Sequence, residues 1–196
     1  MRSIFFGTIL FFAVTIFSGD LAAAETTRIH TNLKGSRFNS ALSEFSYGPT
    51  FVEYTQKKKK KNDHKSYLTV ELELYPEDTS VSNVNKEARL WFRKGQSDLY
   101  LASIEKFLKW EKIAKSRGDQ FTKDIGKHKA TGGKIKFMFH SGTVKHHFLL
   151  LQQCTPAGCS ANVAYFNVKN VKLLKGLLQK MQAGGFKASK VDDIYN

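Results

Sequence analysis

The sequence predicts an α+β domain: an antiparallel sheet of about six to seven strands with two helices packed on one face. Three observations carry the prediction. Apolar and polar residues alternate with period two through Tyr67–Tyr75 and again through Ile135–Phe139. Two other stretches repeat apolar residues at helical spacing, one starting between Asp98 and Ser103 and ending at Arg117-Gly118, the other starting near Asn167 or Asn170 and ended by Ala183-Gly184-Gly185. The order of strands followed by a helix occurs twice, as an internal duplication of strands-plus-helix halves would require. Sliding one half onto the other sets Leu101, Ile104, Phe107, Trp110 and Ala114 against Val168, Val171, Leu174, Leu177 and Met181.

Residues 1–24 read as a secretory signal peptide. Arg2 supplies a positive start, Ile4–Phe17 is almost wholly apolar, and Ala22-Ala23-Ala24 offers the small residues of a cleavage site. The apolar run is shorter than the ~20 residues a spanning helix needs, so no transmembrane segment is expected after cleavage. Export to the periplasm or the extracellular medium follows, and the remainder is long enough for one domain with its own core. Residues 25–42 are polar and without period, as in an extended N-terminal arm; 43–186 form the single α+β domain; 187–196 are a polar tail.

Within the domain, Phe45–Gln56 is rich in strand formers but interrupted by Gly48-Pro49. Five consecutive lysines, Lys57, Lys58, Lys59, Lys60 and Lys61, repel one another and predict a solvated loop before the next strand. In that strand Leu68, Val70, Leu72 and Leu74 take one face, and Thr69, Glu71 and Glu73 the other. Ala88–Arg93 is a short strand, and the first helix ends at Arg117 with Gly118 as its cap. Phe121–Ile125 is a further candidate strand. A hairpin turning near Ser141-Gly142-Thr143 then joins Ile135–Phe139 to Val144–Gln153, and Ala161–Phe166 leads into the last helix, capped by Asn167 or Asn170.

The formal net charge is +14, from 31 Lys and Arg against 17 Asp and Glu. The excess is mostly lysine, which suits diffuse attraction to polyanions better than bidentate recognition. The expected partner is therefore an anionic polymer or an anionic membrane surface, with no sequence-specific reading of nucleic acid. The nominated residues are Lys57–Lys61 with Lys134, Lys136 and Lys145. Cys154 and Cys159, the only two cysteines, flank Thr-Pro-Ala-Gly, a turn sequence, and predict a structural disulfide.

Catalytic signatures are sparse. Tip geometry near Ser141 puts His140 and His147 on one face as metal candidates, yet zinc needs three or four ligands, so no metal or other cofactor is expected. The same geometry puts His146 on the apolar face beside Phe139. Glu71 and Glu73, about 7 Å apart by strand rise, have a spacing seen in glycosidases, and Glu111 sits at a helix rim next to Lys115. No nucleophile-elbow, metalloprotease, phosphate-loop or dinucleotide motif is present. The composition favours a non-enzymatic binding protein. An exported hydrolase acting on a polymer, using His140, His147 and the Glu71/Glu73 face, is one alternative; an interaction module of an envelope assembly is the other.

Overall fold

A computed structural model describes residues 24–39, 44–57, 66–73, 87–143 and 145–186. The strands fall into two antiparallel sheets rather than one. A four-stranded sheet has the order β1-β4-β5-β6, from Ala24–Arg28, Thr50–Lys57, Tyr67–Glu73 and Glu87–Arg93. A seven-stranded sheet has the order β3-β2-β11-β9-β8-β7, from Glu44–Tyr47, Ser36–Asn39, Ala164–Asn167, His146–Thr155, Gly133–Thr143 and Phe121–Ala130; β10 (Gly158–Cys159) pairs with β9. The division occurs at Gly48-Pro49, where the chain leaves β3 in one sheet and enters β4 in the other. Gly48 is required there, because a Cβ would lie 2.1 Å from the carbonyl oxygen of Glu73. The segment expected to be an arm is extended, and it contributes β1 to one sheet and β2 to the other.

The helices form as the spacing predicts. α1 spans Ser97–Arg117 and ends at Gly118, whose φ of 71° is one that L-residues resist. α2 spans Val168–Gln182, and the Asn167 side chain accepts a hydrogen bond from the Asn170 amide. Lys175 and Glu105, 2.6 Å apart, tie the helices together, as does the Gln182 amide on Asp98.

One core joins both sheets to both helices. Leu68, Leu90 and Phe92 from the first sheet meet Ile135, Phe137, Phe139, Leu149 and Phe166 from the second. Tyr100, Ile104 and Phe107 of α1 and Val171, Leu174 and Leu178 of α2 fill the space between. Each such side chain contributes about 1.5–3 kcal/mol by leaving water. Among the described residues, no helix is long and apolar enough to cross a membrane.

The β8–β9 register differs by one residue from the sequence expectation. Ser141 opposes His147 and Phe139 opposes Leu149, with a bulge between Ser141 and Thr143 that moves the turn toward Lys145. Phe148, Leu149, Leu150 and Leu151 are all buried, so the strand is apolar on both faces and alternation carries no register information. A one-residue slip exchanges every side chain between faces. His147, not His146, therefore lies on the inner face, its ring stacked 6.1 Å from Phe139, while His146 is exposed. The outer-face residue Phe148 is covered by the β2–β3 hairpin, whose Phe45 stacks on it at 4.1 Å.

Candidate anion-binding face

β7 and β8 are joined at Thr131-Gly132, so Ala130 opposes Gly133 and the next pairs are Lys129 with Lys134, then His128 with Ile135, then Lys127 with Lys136. Since Ile135 is core, alternation sends all four lysines to the outer face. Lys127, Lys129 and Lys134 are exposed, and Lys136 is half-buried with its ammonium 3.0 Å from Asp124. Two consecutive outer-face pairs thus set lysine opposite lysine in the register, the rungs separated along the strand by about 7 Å.

The Cys154–Cys159 pair borders this patch. The two sulfurs are at bonding distance, 2.09 Å, with Cys154 opposite Cys159 in the β9–β10 register and opposite Lys134 in the β8–β9 register. Lys127 Nζ approaches Cys159 Sγ at 3.8 Å. The disulfide closes the turn as its spacing predicts, and it ends the sheet beside the lysines.

The predicted lysines are distributed unevenly. Lys134 and Lys136 belong to the patch. Lys145 is exposed at the opposite end of β8, about 30 Å from Lys134 by strand rise. Lys57 closes β4 in the other sheet, opposite Ala24, and Lys58–Lys61 lie outside the described residues. Lys127 and Lys129, which complete the patch, were not among the predicted residues. Their signal was present: a two-residue turn between Lys127-x-Lys129 and Lys134-x-Lys136 sets these residues opposite one another.

The catalytic candidates do not converge. His140 is on the outer face, its Nδ1 2.7 Å from Thr122 Oγ1, and His147 is on the inner face, so the expected shared side is corrected by the register. Burial holds the His140 pKa below the usual imidazole value, and the charge of His147 adds to this. Among the described residues, no group of three or more His, Cys, Asp or Glu side chains is arranged to hold a metal. Glu71 and Glu73 do share the outer face of the other sheet. They line a cavity of about 190 Å³ with Arg28, Phe51, Glu53 and Thr69, and Glu71 is bound by Arg89 Nε at 2.7 Å. The histidines of the alternative enzyme reading are in a different sheet from these carboxylates. Glu111 is half-buried at its helix rim.

One polar pair escaped the sequence reading. Ser103 Oγ, on α1, lies 2.7 Å from His128 Nε2, on β7. Ser103 is only 5% exposed, which makes this a helix-to-strand tie rather than an accessible nucleophile. Burial lowers the His128 pKa. Next to it, Tyr100 Oη accepts from the Arg93 amide and donates to the Lys129 carbonyl, and burial pushes the phenol up to about 12. These bonds link β6, α1 and the lysine-bearing end of β7.

Comparison with known protein families, with curated proteins and with solved structures finds no match to this chain.

Proposed function

We propose that the chain is an exported, non-enzymatic binding protein that engages an anionic envelope or extracellular polymer through its lysine-rich surface, by charge and without sequence preference. The observation that carries this reading is the pair of like-charged rungs, Lys127 with Lys136 and Lys129 with Lys134. Like charges placed directly opposite in an antiparallel pair work against the sheet. A phosphate, sulfate or carboxylate between them reverses the sign of that contribution. A polymer presenting such groups in sequence gains from both rungs at once, releasing the counterions that otherwise screen them.

The test is binding to a soluble polyanion, such as long-chain polyphosphate or a sulfated glycan, across a salt series. Affinity should fall steeply with salt, with a log–log slope of roughly three to four if four ammoniums are engaged. Replacing Lys127, Lys129, Lys134 and Lys136 by Gln should remove most of that slope. A flat salt response sinks the reading. Loss of binding only when Lys57–Lys61 are replaced would move the site to that lysine run and leave the rungs without a role.

A further inference from the structure

We infer that the groove between the C-terminal half of α1 and the start of β7 docks anionic lipid at a bilayer surface. The groove has a volume of about 230 Å³ and is lined by Trp110, Ile113 and Ala114 from α1 and by Asp119, Phe121 and Lys123. It exists because the left-handed turn at Gly118 reverses the chain, and because Asp119 is held in place: its carbonyl accepts from Ser141 Oγ, and its carboxylate is bound by Arg117 Nε at 2.9 Å. The floor is core, with Ala114 buried and Trp110 edge-on to Phe139 at 6.0 Å. The lips are not. Ile113 is 43% exposed and Phe121 37%, two large apolar side chains flanking the opening.

Charge selects the occupant. Lys106 Nζ lies 4.8 Å and Lys123 Nζ 5.5 Å from the centroid of the Trp110 ring, so two ammoniums attend the one indole that faces the groove. Lys123 lines the groove, and Lys106, which also donates to the Ile125 carbonyl at 3.4 Å, stands beside it; an apolar slot with cations at its rim matches a molecule with an anionic head and an apolar tail. A neutral apolar ligand makes no use of the Lys123 charge, and a soluble polyanion leaves Ile113, Phe121 and the slot unfilled. Tryptophan with neighbouring lysines is the residue set that settles at a membrane interface, and the chain's net charge of +14 adds attraction to an anionic leaflet. Two exposed apolar side chains are too few to hold the protein on a neutral bilayer, so docking requires apolar insertion and anionic headgroups together. The groove uses none of the four rung lysines, and the inference stands independently of the polymer reading.

The experiment uses the full chain carrying Trp91→Phe, which leaves Trp110 as the only indole. Emission is the readout rather than sedimentation with vesicles, because the apolar run at residues 4–17 partitions by itself. Vesicles of phosphatidylcholine with phosphatidylglycerol should shift Trp110 emission to the blue and allow its quenching by brominated lipid, and pure phosphatidylcholine vesicles should do neither. Ile113→Ser with Phe121→Ser should abolish the shift. Ile113→Leu with Phe121→Leu should keep it, which separates lost insertion from lost fold. Lys106→Gln with Lys123→Gln should weaken it at least tenfold in lipid concentration. An unshifted Trp110 on anionic vesicles overturns the inference, as does a shift that survives the serine variant. An equal shift with soluble glycerol phosphate overturns it in favour of a free-anion site. Loss of polyphosphate binding in the rung variant, with the Trp110 response intact, would leave this inference standing whatever becomes of the other.

Discussion

The strand pairs β5–β6 and β7–β8 have the same construction and differ in the charge they carry. Each is an antiparallel pair with one face in the shared core. On the outer face of β5–β6, Glu71 opposes Arg89 in an ion pair at 2.7 Å, and the register sets Glu73 opposite Glu87 at the next outer rung. On the outer face of β7–β8, lysine opposes lysine at two successive rungs. The Glu71–Arg89 rung serves its sheet, whereas the like-charged rungs are tolerated, and in β7–β8 Asp124 answers Lys136 at 3.0 Å. β7 is also the edge of its sheet, where lysines discourage pairing with another chain. That role accounts for Lys127 and Lys129. It does not account for Lys134 and Lys136, which stand on the interior strand β8. A single sign of charge across two adjacent strands is what the β7–β8 face has and the β5–β6 face, with Arg89 in it, does not.

The largest expected effect is on binding. Replacing the four rung lysines by Gln should weaken polyphosphate binding by about eightfold per ammonium, and so by about three and a half orders of magnitude at ~0.1 M salt. Glu71→Gln in the other sheet should leave the affinity within a factor of about two, since it removes a single acid that is already paired. Comparable losses from both variants would show that binding follows net charge, and the contrast between the faces would have no functional meaning.

Next in size is the staple that only one of these strand systems has. Cys154→Ser with Cys159→Ser should cost about 2 kcal/mol, read as a lower midpoint in denaturant. Hydrogen exchange should rise at the β9–β10 end beside the lysines and stay unchanged in β4–β5. Uniformly raised exchange would mean that the two sheets open as a single unit.

Charge reversals test the rungs as stability statements. Lys134→Glu converts a like pair into an opposite pair and should raise stability by about 0.2–1 kcal/mol, whereas Glu71→Lys should lower it by a similar amount. In thermal melts these are shifts of about 1–4 °C with opposite signs. Shifts of the same sign would break the comparison.

The smallest effect is on pH dependence. Burial depresses the pKa of His128 and of His140, both in the lysine-bearing sheet system. A base depressed in the folded state contributes stability that is fully present above its unfolded value of 6.5 and is lost as pH falls from there toward the folded value. Melting points should therefore fall as pH drops below about 6.5, and His128→Gln should flatten part of that slope.

How far the sequence reveals all this depends on how each residue signals its surroundings. α1 and α2 were legible because each buries one stripe and exposes the other, and their caps are chemically marked by Gly118 and Asn167. β5 was legible because Leu68, Val70 and Leu72 alternate with polar residues. β9 was not, because it is buried on both faces and its hydrophobic run fits either register; the positions of His140, His146 and His147 depended on that choice. The full extent of β7 was hidden by its lysines, which resemble loop composition when the strand has an exposed edge. The lysine rungs were half legible. Lys134 and Lys136 stood out by composition, but their partners require pairing two strands across Thr131-Gly132. The groove at Trp110 was not legible, since it depends on a helix meeting a strand after a left-handed turn.

The placement of α1 bears on the order in which the chain can acquire structure. It follows β6 in sequence, but it packs on β7, β8 and β9, which are made later, and its Tyr100, Phe107 and Trp110 rest on Phe137 and Phe139. During synthesis, everything up to Gly118 emerges before the surface that will cover those rings exists. The early half therefore waits, with its aromatic side chains in water, for the late half to arrive. The ribosome would release it as an open chain rather than as a finished lobe.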